Sequence, residues 1–366
     1  MTDSKPYTVV LDVMGADSGE VGIIDGGVEA AMGVGDSLHV TLVGQKDLIE
    51  RRLSQWDDLP SNISVEHASG MVPMHVSASD GVRVKDSSIK VGLRLLREGK
   101  GDAFVSPGNT GAVMGTSLLT LGRIEGVSRP AITGAFPTWT GRPTVVLDVG
   151  ANADGKPMHL SQFAVMGSVY YSVVFGQEAP RVGLVSIGEE RSKGNELIFT
   201  ALKLLKNSNI NFVGNIEGRD ILSGTVNVAV TDGFTGNIIL KFAESIRPFL
   251  VKTMQRQIQT NIFSRVGAML LLPFLRRMRS NFDYAEAGGA PLLGVNGIVI
   301  ICHGASGAKA IRNGVRLAHD LASRNLLKRI KDELVTNHFG RNNGTTIESQ
   351  DNRDGVIRSS AANDQR

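Results

Sequence analysis

Short β-branched runs punctuate the chain at residues 8–11, 39–43, 63–66, 103–106, 145–147, 182–186, 226–230 and 298–302. Longer segments whose apolar residues recur with helical spacing lie between many of them, as at 82–97 and 196–206. Strands alternating with amphipathic helices predict βαβ units and a mainly parallel sheet covered on both faces, an α/β fold.

In open parallel sheets the ligand crevice lies beyond the carboxyl ends of the strands, so the residues just after each run carry the functional expectation. They are Asp12-Val-Met-Gly-Ala-Asp17, Pro107-Gly-Asn-Thr-Gly-Ala112, Asp148-Val-Gly-Ala-Asn152, Ile187-Gly-Glu-Glu-Arg-Ser-Lys-Gly194, Thr231-Asp-Gly-Phe-Thr-Gly-Asn237 and His303-Gly-Ala-Ser306. Taken singly, each is an ordinary turn sequence, because Gly, Asn, Asp and Ser favour turns for local reasons. Taken together, they predict one site along one sheet edge.

Composition narrows the classes. The 43 glycines among 366 residues, with only 12 prolines, point to many close backbone approaches and not to a collagen repeat. Thirty-nine basic against 36 acidic residues leave a balance of +3, too weak for a nucleic-acid partner. The lone cysteine, Cys302, excludes an internal disulfide framework and a Cys-rich metal site, and a reducing cytoplasm is the expected setting. The opening residues carry acids ahead of a strand-like run and do not resemble a secretory leader.

The exits differ in chemistry. Gly150-Ala-Asn-Ala-Asp-Gly-Lys-Pro157 approaches the phosphate-loop pattern, but Pro157 stands where a Ser or Thr would hold Mg²⁺. Neither a dinucleotide glycine fingerprint nor a zinc spacing of histidines occurs, so no cofactor and no metal are expected. Ser106 to Gly115 reads as a strand, a Gly-rich turn and a helix start, which makes Asn109, Thr110 and Gly111 candidates for an anion site at a helix N-terminus. Lys193 is either a surface partner of Glu189 and Glu190 or a point charge for phosphate or an oxyanion. Asn237 offers an amide donor, and Asp232 serves equally as loop orienter or as chemical group. Asn152, Glu189, His303 and Ser306 complete the expected lining. Cys302 and His303 are adjacent in an extended run and point to opposite faces, so they are not expected to act as a dyad.

Residues 251–281 hold Lys252, Arg256, Arg265, Arg276, Arg277 and Arg279 and no acid, with Ile262, Phe263, Val266, Met269, Leu270 and Phe274 at helical spacing. Such a stretch suits a subunit interface, an anionic membrane surface or an acidic carrier protein. Its apolar run at 268–275 is too short to span a bilayer. Residues 340–366 lack periodicity and predict a disordered tail.

In order, these loops resemble the bacterial phosphate acyltransferase family (acyl-[acyl-carrier-protein]:phosphate acyltransferases) over roughly residues 9–330. The most specific parts are Gly108-Asn-Thr-Gly-Ala112, Phe163-Ala-Val-Met-Gly167, Ile187-Gly-Glu-Glu190 with Lys193-Gly194, Gly214-Asn-Ile-Glu-Gly-Arg-Asp220, Asp232-Gly-Phe-Thr-Gly-Asn237 and Gly288-Gly-Ala-Pro-Leu-Leu-Gly-Val-Asn-Gly297. The first loop departs from the family's M-G-G-D-H, reading Met14-Gly-Ala-Asp-Ser18, and Pro107 replaces a usual alanine. The resemblance implies a three-layer α/β/α fold akin to phosphotransacetylases and isocitrate-type dehydrogenases. It implies one acyltransferase domain over residues 1–339, with a helical dimer and membrane-contact protrusion over about 245–285. It also implies transfer of a long acyl chain from acyl carrier protein to inorganic phosphate for phospholipid synthesis, with Lys193 and Asn237 catalytic. The implied protein is a homodimer, cytoplasmic and peripheral to an anionic membrane, with a glycerol-3-phosphate acyltransferase as a possible partner. A short-chain phosphotransacetylase using acyl-CoA and a non-catalytic membrane scaffold are the alternatives.

Overall fold

Apolar runs that are buried from end to end set the frame. In the computed structural model, which describes residues 5–258, 266–270 and 288–337, β4 (Ala103–Ser106), β6 (Thr144–Leu147) and β11 (Ile298–Ile301) are buried throughout. With β1 (Tyr7–Asp12), β2 (Leu38–Gly44), β3 (Ile63–His67), β5 (Ala131–Phe136), β7 (Val182–Val185), β8 (Phe212–Ile216), β9 (Val228–Val230) and β10 (Ala290–Leu293) they form one sheet of order 3-2-1-4-11-10-5-6-9-7-8.

Alternate residues feed two cores. Val9 and Leu11 of β1 pack toward α1 (Glu20–Val34), α2 (Lys46–Leu53), α6 (Pro157–Phe175), α7 (Glu196–Lys206), α10 (Ala308–Ser323) and α11 (Leu326–Thr336). Val10 and Phe104 join the opposite core beneath α4 (Ser88–Arg97), α5 (Thr110–Thr120), α8 (Gly218–Ser223) and part of α9 (Gly233–Ile258). The result is three layers, helix on sheet on helix.

The helix expected over 82–97 is divided. A short α3 (Ala78–Arg83) ends first; Asp86 then turns with φ 48°, and Ser87 caps α4 by accepting the Lys90 N–H at 3.2 Å. The helix expected over 196–206 forms as α7, capped by Asn195, which accepts the Ile198 N–H at 3.0 Å.

Sheet direction corrects one expectation. β3, β2, β1, β4 and β11 are mutually parallel, as are β6, β9, β7 and β8, but β11–β10, β10–β5 and β5–β6 are antiparallel. Three successive reversals make the second block run opposite to the first, so the six exits do not share one edge. Register brings them to a common height instead. Ser106 pairs with Ile301 and Ile301 with Ala290, while on the far side Thr133 pairs with Leu147 and Leu147 with Val230. Strand ends of both blocks therefore stop near the middle of the staggered sheet, separated by β10 and β5, or about 14 Å at the usual strand spacing.

Candidate active site

The exits of β1, β4 and β11 build one set of loops. Asp12, the last residue of β1, is fully buried; its carboxylate accepts the Met14 N–H at 3.0 Å and Ser106 Oγ–H at 2.6 Å. Ser106 Oγ in turn accepts the Gly108 N–H at 3.1 Å. Burial raises the Asp12 pKa from 3.8 to about 6, against the lowering effect of its bonds to Ser106, Ser88 and Met14.

Asn109 caps α5, accepting the Ala112 N–H at 2.9 Å, while its amide donates to the carbonyls of Met74 (2.9 Å) and Val76 (3.0 Å). That side chain is spent on structure. Thr110 is exposed at the first helical position, beside Gly111, and the N–H groups that open α5 have no partner within the helix. Across from it Ser18 Oγ donates to the Ser306 carbonyl at 2.8 Å and Asp17 N–H to the Gly304 carbonyl at 2.9 Å. His303 is exposed, its Nδ1 accepting the Ala305 N–H at 3.1 Å, whereas Ser306 is buried. The methyl of Ala16, the departure in the first loop, packs against the apolar core.

The second set leaves β6, β9 and β7. Asp148 is fully buried and accepts the N–H groups of Ile132 (3.1 Å), Gly150 (3.1 Å), Ala151 (2.9 Å) and Asn152 (2.8 Å). The phosphate-loop look-alike thus closes on its own carboxylate, which explains why it is not an open phosphate cradle. Asn152 adds its amide to Asp148 at 2.8 Å and to the Pro130 carbonyl at 2.7 Å.

Asp232 caps α9, accepting both the N–H and the hydroxyl of Thr235 at 2.9 Å, and so orients its loop. Gly236 lets this helix start seat on the strand exit, because a Cβ there would run into the Asp148 carbonyl. Asn237 follows, exposed, with its side chain over Gly150: a Cβ on that glycine would lie 3.5 Å from Asn237 Oδ1.

Lys193 is exposed on the β7 exit. Glu189, offered by the sequence as its partner, pairs with Arg219 at 3.0 Å, and Arg219 also reaches Glu217 at 3.3 Å. Among the described residues no carboxylate forms an ion pair with Lys193. Its ammonium is available for a ligand.

β9 pairs with both β6 and β7, so the loops bearing Asn237, Asn152 and Lys193 leave neighbouring parallel strands. Gly155, in the loop after Asn152, faces Asp232 and the first turn of α7: a Cβ there would stand 2.9 Å from Asp232 Cβ, 3.2 Å from Leu160 Cδ1 and 3.4 Å from Leu197 Cδ2. Lys193, Asn237, Asn152, Glu189 and Asp232 thus lie on the exits of one block, and Asn109, Thr110, Gly111, His303 and Ser306 on those of the other. Pattern reasoning did not single out Asp12 or Asp148 as anchors. The available signal was an acid ending an apolar run, which is unusual inside a core. Cys302 is buried as expected, and burial pushes its thiol up to about 12, the opposite of a nucleophile's shift.

Two parallel blocks joined by antiparallel strands and loop sets rich in anion donors define a class, that of the phosphotransacetylase fold. A phosphotransacetylase from Streptococcus pyogenes superposes with a TM-score of 0.60 at 15% identity, covering 87% of this chain and 95% of that one. A branched-chain phosphotransacylase from Enterococcus faecalis gives 0.54 at 11% identity, covering 86% and 99%. Within that class the chain belongs to the fatty acid synthesis protein family, whose model matches residues 7–329. Proteins named phosphate acyltransferase are similar along nearly the whole length. That of Geotalea uraniireducens is 44% identical over 331 residues, 90% of this chain and 95% of its own, and that of Citrifermentans bemidjiense 45% over 327 residues, 89% and 92%.

Proposed function

We propose that the chain transfers a long acyl group from the thioester of acyl carrier protein to inorganic phosphate, releasing acyl phosphate and free carrier protein for phospholipid synthesis. The similarity to phosphate acyltransferases over nine-tenths of the chain carries this reading, and it is supported chemically by Lys193, which no carboxylate pairs among the described residues, on the exit of the strand next to the one that leads to Asn237. A phosphate oxygen attacks the thioester carbonyl carbon; a C–O bond forms, the C–S bond breaks, and the thiolate leaves and takes up a proton. Phosphate is already anionic and thiolate is a good leaving group, so positioning and electrostatics supply the catalysis without a covalent enzyme intermediate. Asn237 donates to the carbonyl oxygen, and Lys193 balances charge on phosphate and the tetrahedral oxyanion. The N–H groups of Thr110 and Gly111 grip phosphate from the facing loop set, Asn109 holding that turn in place.

Losing one such charge-stabilising donor costs about 10²–10³ in rate. Lys193→Ala should lower phosphate-dependent cleavage of palmitoyl-ACP by at least that factor with an unchanged melting temperature; wild-type turnover in the variant would remove Lys193 from the mechanism. The fold neighbours support a second reading, phosphotransacetylase chemistry on acyl-CoA. Faster phosphorolysis of acetyl-CoA than of palmitoyl-ACP would favour it.

The partner proposal rests on α9. Phe234, Ile238, Phe242, Ile246 and Phe249 recur along it at helical spacing and stand exposed. A second copy of the chain covers that face, and the adjoining basic stretch meets an anionic membrane. Much of the stretch, including Arg265, Arg276, Arg277 and Arg279, lies outside the described residues, as does the segment 340–366. No helix among the described residues is long and apolar enough to cross a membrane. A glycerol-3-phosphate acyltransferase is the proposed consumer of the acyl phosphate.

A further inference from the structure

Next to Lys193 stands a buried side chain with no assigned role. Asn215 lies on β8, the strand paired with β7, and is 8% exposed. Its amide nitrogen donates to two carbonyls of the neighbouring loop, those of Glu190 at 3.2 Å and Lys193 at 3.1 Å. The Lys193 carbonyl also accepts Ser186 Oγ–H at 3.2 Å, and the Lys193 N–H closes the turn on the Glu190 carbonyl at 3.0 Å. Asn215 Oδ1, by contrast, is buried with no hydrogen-bond partner among the described residues.

A buried acceptor left unpaired is destabilising, and an apolar side chain of similar shape would avoid that. What this position uses is therefore the amide N–H pair. The Lys193 side chain leaves the clasped turn by crossing Gly188, where a Cβ would stand 2.8 Å from Lys193 Cγ and 2.8 Å from Glu190 Oε2. The turn and the bare glycine together set its path.

We propose that Asn215 is a positioning residue for the reaction: by holding the carbonyls of Glu190 and Lys193 it fixes the turn from which the Lys193 ammonium reaches the reacting centre. The proposal rests on the assignment of Lys193 above.

The test is a double-mutant cycle on the full chain, with palmitoyl-ACP and inorganic phosphate as substrates. Asn215→Ala should lower kcat about 10- to 100-fold, the range for a misplaced catalytic group, with KM for palmitoyl-ACP within about twofold of wild type. In the Lys193→Ala background the same change should alter the residual rate by less than about twofold, because both substitutions remove one contribution. Gly188→Ala is the companion variant. It leaves the Asn215 bonds intact, displaces the Lys193 side chain from the other direction, and should show the same kcat loss and the same non-additivity at an unchanged melting temperature. Equal losses in both backgrounds would overturn the proposal, as would wild-type kcat in both variants while Lys193→Ala is impaired. Full activity of Lys193→Ala would instead overturn the assignment of Lys193.

Discussion

Asp12 shows how one buried carboxyl couples chemistry to stability. Its native pKa of about 6 lies above the ordinary 3.8 because burial disfavours the charge. Between these values the unfolded chain has released a proton that the native chain keeps, so stability falls as pH rises through the window and stays lower above it. The expected loss is about 3 kcal/mol. Asn at this position has no proton to release. Urea unfolding of wild type and Asp12→Asn at pH 4 and pH 7 should show wild type losing about 2 kcal/mol relative to the variant on going to the higher pH, part of the loss having already occurred at pH 4 where the unfolded carboxyl is half ionised; a difference independent of pH would contradict the burial account. Lys193 was legible in the sequence as a cation among loop glycines. Whether Glu189 neutralised it was not, because Arg219, thirty residues further on, claims that carboxylate only in the folded chain.

At the scale of elements, the fit between α9 and the β6 exit decides where Asn237 stands. Gly236 faces the Asp148 carbonyl so closely that Ala there must shift the helix start, at a cost of roughly 1–3 kcal/mol. Gly236→Ala should accordingly lower the unfolding midpoint and depress turnover, whereas Gly218→Ala, whose Cβ meets nothing within 4 Å, should be neutral or slightly stabilising. Equal midpoints for the two variants would show that the close approach is relaxed in solution. Local signals located β4 and α7 to the residue, because a short apolar run ending at a serine and an Asn cap act at short range. They missed β5, β8 and β10, which carry Gly134, Gly214 and Pro291, residues that ordinarily disfavour strands. These strands form because their neighbours supply the hydrogen bonds.

For the whole molecule, the exposed apolar stripe of α9 departs from an ordinary surface helix. If a second copy covers it, Phe242→Glu should convert a dimer to a monomer in sedimentation velocity, since a charge in an apolar contact cannot be solvated there. An unchanged sedimentation coefficient would refute that assembly. The sheet reversal also belongs to this scale. It splits the glycine-rich exits into two sets, so the proposed reaction requires that phosphate gripped from one side and a thioester held from the other meet in the gap beside β10 and β5.

The amino-acid sequence by itself determined the α/β class, most of the parallel strands and the glycine-rich exits, because these follow from periodicities and turn chemistry that act over a few residues; the candidate pair Lys193 and Asn237 came from the resemblance of the loop motifs to a family. Tertiary structure alone decided which exits become neighbours. Strand direction in the centre of the sheet depends on β10 pairing with β5 across some 160 positions of chain, and on glycines such as Gly236 whose role appears only when a distant carbonyl arrives against them. No local pattern carries that information, since the energy lies in contacts between segments that the chain order keeps apart.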